Sequence, residues 1–405
     1  MGRGRCKPSP ALLSAVTVLC LTQKDRLMNG REKVEAAFSP RGTPEIPAVI
    51  CYESLFVRDH WPQLSAEPWW VRIVPDLERQ MAWRRQVAEQ IGQDWFEMPM
   101  GPGRSARAHL SVHERDGMVY EVDDRTGLAR VLDPPTVGGW QAQGPASIHP
   151  AKPPQTPDEV DEWMLHLEAP EETVVDGGGD LAGRILAGWG APFFPLAHVP
   201  GPLWRCYRVW GFEGMMTLIA ERPDLVRHAV TCLTAYGLRC VRAAAQCGAR
   251  GIWIEDCLTD MISPQHIAAL NLFYLRQLTA EIRACGMYSI HYYCGDPAGK
   301  WELLLGTGAD ALSLEESKKG FTIDVEDVVA KVAGEMTVLG NLDAMRLLAH
   351  GTEAALRAEI ARQVAAGRRN GGRFIMGLGS PVTPGTPAAR VRLYCDLVHE
   401  LGSQV

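Results

Sequence analysis

Ser289-Ile290-His291-Tyr292-Tyr293-Cys294-Gly295-Asp296 decides the fold. A β-prone run climbs to a histidine and a cysteine and stops at Gly-Asp-Pro, so it reads as a strand with chemically active groups at its C-terminal end. With Met287–Tyr293, eight short β-like runs can be picked out, the others being Ile46–Tyr52, Asp94–Met98, Phe194–His198, Gly251–Glu255, Ala311–Leu314, Met336–Gly340 and Arg373–Gly377, and an ending in acidic or imidazole groups recurs among them. Helical patterns separate these runs from the third onward. Asp224 to Cys247 carries apolar residues at helical spacing, and Ser263-Pro264 and Thr386-Pro387 open further helices. Strand followed by helix, repeated with short turns, predicts parallel strands closed into a (β/α)8 barrel, with the strand ends gathered on one face.

Between the second and third runs the rhythm changes. Leu110 to His113 and Val119 to Val122 flank Arg115-Asp116-Gly117, which reads as an antiparallel hairpin extended by Ala129 to Leu132. Residues 109–170 are therefore taken as a β-hairpin and linker insertion in a barrel running from 28 to 405. Within it, the Pro- and Gln-rich stretch 143–157 leads to a helix start at Thr156-Pro157-Asp158-Glu159. Residues 1–27 are expected to be a disordered or mis-called N-terminal extension. Arg3, Arg5 and Lys7 precede an apolar run as in a secretion signal, but no small-residue cleavage site follows. Asn29 and Glu32 have capping-box spacing and mark a more natural beginning.

Composition narrows the class. The 405 residues are 46% hydrophobic and 22% charged, which is ample for one large core. A net charge of −7 with no dense basic run argues against a nucleic-acid partner. No segment beyond the N-terminal extension has the apolar length of a membrane span. The 11 cysteines include no short-spaced framework, so they read as reduced thiols of a cytoplasmic protein.

Several motifs in order resemble the uroporphyrinogen decarboxylase (URO-D) superfamily, which includes the corrinoid- and cobalamin-linked methyltransferases. They are Gly201-Pro202 with Trp210-Gly211-Phe212-Glu213; Gly251-Ile252-Trp253-Ile254-Glu255-Asp256 with Ser263-Pro264; Cys294-Gly295; Gly340-Asn341-Leu342-Asp343; and Gly379 to Pro387. The resemblance implies a TIM barrel of the URO-D type, here with the antiparallel β insertion. The chain departs from true uroporphyrinogen decarboxylases, whose N-terminal Arg-Gln-Ala-Gly-Arg block grips the substrate carboxylates. Here Glu53-Ser54-Leu55-Phe56-Val57-Arg58-Asp59 follows the first run, and the strand ends are mainly acidic. It departs also from the zinc methyltransferases, which use His-x-Cys and a later Cys. Aligned on Cys294-Gly295, Tyr292 stands in the histidine slot and Ser380 in the later cysteine slot. His291 and Cys294 are the candidate metal ligands. Residues three apart on a strand face opposite sides, so they co-ligate an ion only if the strand end reorients one of them.

Within this frame Glu255, Asp256, His291 and Tyr292 are the catalytic candidates, as proton-handling groups at barrel strand ends. Each has a bland alternative: the acids as helix caps or arginine partners, the histidine as a satisfied core residue, the tyrosine as packing. Glu53, His198, Glu315, Asn341, Asp343 and Ser380 are the substrate-binding candidates. Glu315 and Glu316 could equally form a solvated cluster with Lys318-Lys319, and Gly340-Asn341 a turn. An amide and a carboxylate at Asn341 and Asp343 suit a planar heterocycle with donor and acceptor edges.

The leading expectation is a methyltransferase moving a methyl group between a separate corrinoid protein and a small acceptor such as tetrahydrofolate, with no tightly bound cofactor. Methyl-corrinoid and tetrahydrofolate would then be substrates, and the altered ligand set counts against zinc. A cofactor-free decarboxylase is the second expectation, and it predicts a carboxylate clamp of Arg58, Arg205 or Arg208. A non-catalytic ligand-binding barrel is the third, and it predicts strand-end acids paired off with arginines.

Overall fold

The computed structural model describes residues 27–140, 148–189, 192–318 and 320–403. Most of the expected N-terminal extension, part of the Pro- and Gln-rich stretch, and Lys319 lie outside the described residues. Among the described residues, no helix is long and apolar enough to cross a membrane.

Seven strands form one parallel sheet: β1 (Trp95–Glu97), β5 (Phe194–Pro200), β6 (Gly251–Asp256), β7 (Tyr288–Tyr293), β8 (Ala311–Leu314), β9 (Thr337–Leu339) and β10 (Phe374–Ile375), neighbouring in that order. β2 (Leu110–Arg115), β3 (Met118–Asp123) and β4 (Leu128–Leu132) form a separate antiparallel sheet. Its first turn places Asp116 at φ 53° and Gly117 at φ 74°, the left-handed pair that a two-residue hairpin loop between twisted strands requires.

The first expected strand is present as a stave without a ladder of its own. On one side Met376 N–H donates to Pro47 O and Val49 N–H to Met376 O, both at 2.9 Å. On the other side the partners are largely side chains. Ala48 N–H donates to Asp94 Oδ2 at 2.7 Å and Ile50 N–H to Gln93 Oε1 at 3.0 Å, while Asp94 N–H reaches Ala48 O at 2.8 Å. Pro47 has no N–H to give on the flank where its carbonyl meets Met376, and on the opposite flank the buried amides of Ala48 and Ile50 find carboxylate and amide oxygens. The stave thereby closes the barrel between β10 and β1.

Alternation along β6 and β7 separates two environments. Ile252 and Ile254 pack outward with Val241, Leu275, Leu278 and Ile282 of the helices Pro223–Gln246 and Phe273–Ala284. Trp253 points the other way, into the barrel, where it meets Trp95, Tyr52 and Tyr292. The helix Gly30–Phe38 begins with the expected capping box, Glu32 N–H donating to Asn29 Oδ1 and Asn29 N–H to Glu32 Oε2. Gly211 interrupts the helix Pro202–Glu221 with φ 70°, and a Cβ there would run into the carbonyl of Ile148. The glycine thus lets the insertion cross directly over the kink.

Candidate active site

Tyr52 ends the first stave with φ 56° and ψ 57°, a left-handed conformation costing roughly 1–2 kcal/mol for a residue with a Cβ. That backbone sends the phenol across the C-terminal mouth of the barrel. Its hydroxyl donates to Glu255 Oε1 at 3.0 Å. Around the Tyr52 ring stand Trp140, His198, Trp253 and Tyr292, with ring centroids 5.1, 5.6, 6.0 and 6.0 Å away. Trp253 and Tyr292 are stacked at 5.0 Å. Together these rings make an aromatic wall with one carboxylate set into it. Trp140 is held in place because Gly139 N–H donates to Asp59 Oδ2 at 2.7 Å, while Arg58 pairs with Asp59 and donates to Gly139 O.

Burial pushes the Glu255 carboxyl above its usual range, and the Tyr52 hydrogen bond and nearby His198 pull it back part of the way. The thiol of Cys257 lies 3.8 Å from the same Oε1. Cys257 also neighbours Cys294. β6 and β7 run in register with Asp256 opposite Tyr293, and Cys294 N–H donates to Asp256 O at 3.1 Å. Contact with Cys294 and burial hold the Cys257 thiol protonated, well above its ordinary value.

Tyr292 bridges to the other half of the mouth, its hydroxyl donating to Gly379 O at 3.4 Å. Beside Gly379, Ser380 Oγ accepts from Lys318 Nζ at 2.7 Å, and Lys318 is ion-paired with Glu315. Burial lowers the Lys318 ammonium pKa, but Glu315 and Glu316 more than offset this and leave it raised. Desolvation raises the Glu316 carboxyl. Glu315 Oε2 and both Glu316 oxygens are buried and have no partner at hydrogen-bond distance among the described residues, Glu316 Oε1 being 3.9 Å from the Lys318 ammonium. A buried acceptor without a partner carries a desolvation cost that a donor-bearing ligand would remove.

The structure brings Glu255, Tyr292, His198, Glu315, Ser380 and Cys294 to this mouth. It does not bring the others. His291 and Asp256 lie on the opposite faces of their strands: His291 Nε2 is 3.2 Å from Asp256 Oδ2, which accepts from Asn271 Nδ2 at 2.9 Å, and His291 and Asp256 are each 1% exposed. No bulge rotates the end of β7, so His291 and Cys294 do not converge on one ion. Asn341 spends its amide on Glu315 O at 3.1 Å and Ile323 O at 2.9 Å, which fixes the loop that carries Glu315. Asp343 caps the next helical turn and pairs with Arg346. Glu53 accepts from Gln93 Nε2 and Glu97 N–H, and desolvation pushes its carboxyl up to about 7. Of the arginines expected as a clamp, Arg58 holds Asp59 and Gly139, Arg205 lies over the Tyr236 ring, and Arg208 is exposed on the helix Pro202–Glu221.

Sequence reasoning missed Tyr52, Trp140, Cys257 and the inward role of Lys318. Cys257 was legible, since it lies two residues beyond Glu255 and alternation gives both one face. The residues around Cys294 fit a family-type zinc poorly. Tyr292, in the histidine slot, bonds a carbonyl, and Ser380, in the later cysteine slot, is taken by Lys318.

Comparison with known proteins follows the same line. The sequence profile of the family described as Uroporphyrinogen decarboxylase (URO-D) matches residues 194–401. A protein named uroporphyrinogen decarboxylase from Roseiflexus sp. (strain RS-1) is 30% identical over 84% of this chain and 96% of its own. One of the same name from Legionella pneumophila (strain Corby) is 24% identical over 87% of this chain and 98% of its own. Among solved structures, a methyltransferase from Methanosarcina mazei superposes with a TM-score of 0.62 over 92% of this chain and 99% of its own, at 15% identity. That likeness speaks for the barrel fold alone.

Proposed function

The chain belongs to the uroporphyrinogen decarboxylase (URO-D) family, and from that premise we propose that it is a methyltransferase, moving a methyl group between the corrinoid of a separate carrier protein and a small, flat, donor-bearing acceptor such as tetrahydrofolate. One observation carries this reading. The mouth presents Glu255, Glu315 and Glu316, its cation Lys318 is already paired, and Arg58 and Arg205 are committed elsewhere. A substrate bearing many carboxylates would meet like charge there, without the guanidinium forks that bind carboxylates best.

Trp140, 44% exposed beside the Tyr52 ring, offers a stacking surface to a planar ring, with Trp253 and Tyr292 buried behind it, and Glu255 would give that ring's N–H an acceptor once Tyr52 moves aside. In methyl transfer to an acceptor nitrogen, the methyl–cobalt bond breaks with its electron pair left on cobalt, and a carbon–nitrogen bond forms. The proton released from nitrogen passes to the Glu255 carboxylate, whose raised affinity for a proton suits the task. Tyr52 holds Glu255 in position, and the carrier supplies the cobalt chemistry. No step is routed through a zinc ion.

The test is to mix the purified protein with methylcob(III)alamin and tetrahydrofolate and follow the cobalamin spectrum, with uroporphyrinogen decarboxylation assayed in parallel. Demethylation lost on Glu255→Gln supports the proposal. Decarboxylation without demethylation for any acceptor tried overturns it in favour of the decarboxylase reading.

A further inference from the structure

Far from the barrel mouth, two helices present three metal-ligating side chains to one point. The helix Pro157–Met164 of the insertion carries Asp161, and the helix Pro223–Gln246 of the barrel wall carries His228 and Cys232. His228 and Cys232 are four residues apart, so they lie one above the other on the same face. His228 Nε2 is 2.8 Å from Asp161 Oδ1, Cys232 Sγ is 3.5 Å from that oxygen, and Sγ is 3.8 Å from Nε2.

Those separations decide between two readings. A hydrolase-like relay needs histidine to use both ring nitrogens, one toward the acid and one toward the thiol. Here the acid and the thiol both address Nε2, so a relay is not formed. Zinc bonds of about 2.0–2.1 Å to nitrogen or oxygen and 2.3 Å to sulfur, at tetrahedral angles, put donor atoms about 3.3–3.6 Å apart. The three measured distances bracket that range, and small rotations of half-buried and exposed side chains would equalise them. Among the described residues this is the group of three whose donor atoms all lie within 4.8 Å of one another.

We propose that Asp161, His228 and Cys232 form a surface zinc site, with solvent at the fourth position, that clamps the insertion helix to the barrel wall. Nothing in it depends on the reaction at the mouth. Desolvation, with Asp161 beside it, pushes the Cys232 thiol up to about 11, so the bare site keeps the sulfur protonated. Zinc binding expels that proton to solvent and uses the Nε2 lone pair, the ring hydrogen moving to Nδ1. Sulfur, nitrogen and carboxylate donors in one set suit zinc, whereas magnesium and calcium prefer oxygen alone.

The test uses the full chain, stripped with chelator and titrated with cobalt(II) as a spectroscopic stand-in and with zinc for stoichiometry and thermal melting. One equivalent should bind, with a thiolate-to-cobalt absorption band that Cys232→Ser abolishes and with affinity at least tenfold weaker in His228→Ala and Asp161→Asn. Zinc should raise the melting temperature of the wild type and not of Asp161→Asn, and magnesium should do neither. Cys257→Ser/Cys294→Ser serves as the control for the mouth thiols. Metal uptake lost in that variant and untouched in Cys232→Ser overturns the proposal, as does the absence of uptake at micromolar metal.

Discussion

The Tyr52 hydroxyl donates 3.0 Å to Glu255 Oε1 from a backbone held in the left-handed region, joining the first stave of the barrel to its fourth. The bond couples a conformationally costly residue to a half-buried carboxylate. Tyr52→Phe keeps the ring and removes the donor, and should destabilise the fold by about 1–3 kcal/mol in chemical denaturation. It should also raise the Glu255 pKa further, since the lost bond was one of the influences lowering it. Any activity limb that requires ionised Glu255 should therefore move to higher pH. An unmoved limb would show that Glu255 does not set it.

Lys318 offers a second test. Its ammonium sits between Glu315 and Glu316. Lys318→Met leaves two buried carboxylates without a counter-charge, and should cost about 3 kcal/mol at pH 8. The loss should be smaller at pH 5, because protonation of the already raised Glu316 carboxyl sets in sooner once its counter-charge is gone. Urea titrations at the two pH values measure both.

Glu53 makes stability itself pH-dependent. Its folded-state pKa of about 7 lies above the ordinary 4.5, so the folded chain binds the proton more tightly than the unfolded one. Between those values stability falls as pH rises, by up to about 2–3 kcal/mol. Glu53→Gln should flatten that part of the profile. An equally steep fall in the variant would assign it to other groups.

Gln93 stitches the first stave to β1, accepting from Ile50 N–H and donating to Glu53. Gln93→Leu leaves a buried amide without an acceptor, and should cost about 2–4 kcal/mol, nearer the upper figure because the Glu53 bond goes too. Gln93→Glu restores an acceptor for Ile50 N–H and should recover part of the loss below pH 7, where protonated Glu53 can donate to it, and lose that recovery above pH 7, where two carboxylates face each other.

Much of the barrel was legible because strand-forming runs ending in polar groups are local patterns. Met287 to Tyr293, Gly251 to Glu255, the Asp116-Gly117 turn and the Asn29–Glu32 cap all lie within a few residues of their own signals. The face of a side chain was harder to read. His291 and Tyr292 are adjacent, and one-residue alternation sends the histidine to Asp256 behind the sheet and the tyrosine to the mouth. Long-range partnerships left no local trace. Lys318 looked like part of a solvated charge run, and only the fold brings Ser380 to its ammonium. Nor could the left-handed turn at Tyr52 be foreseen, since asparagine or glycine is the ordinary occupant of such a position.

The first stave, held on one flank by Gln93 and Asp94 side chains, gives the barrel a zipper with fewer teeth there than elsewhere. Because that stave ends in Tyr52, loosening it swings the phenol away from the entrance. Amide protons of Ala48 and Ile50 should accordingly exchange with deuterium sooner than those of β6, and a bulky ring could be admitted by breathing along one side, with the remaining staves undisturbed.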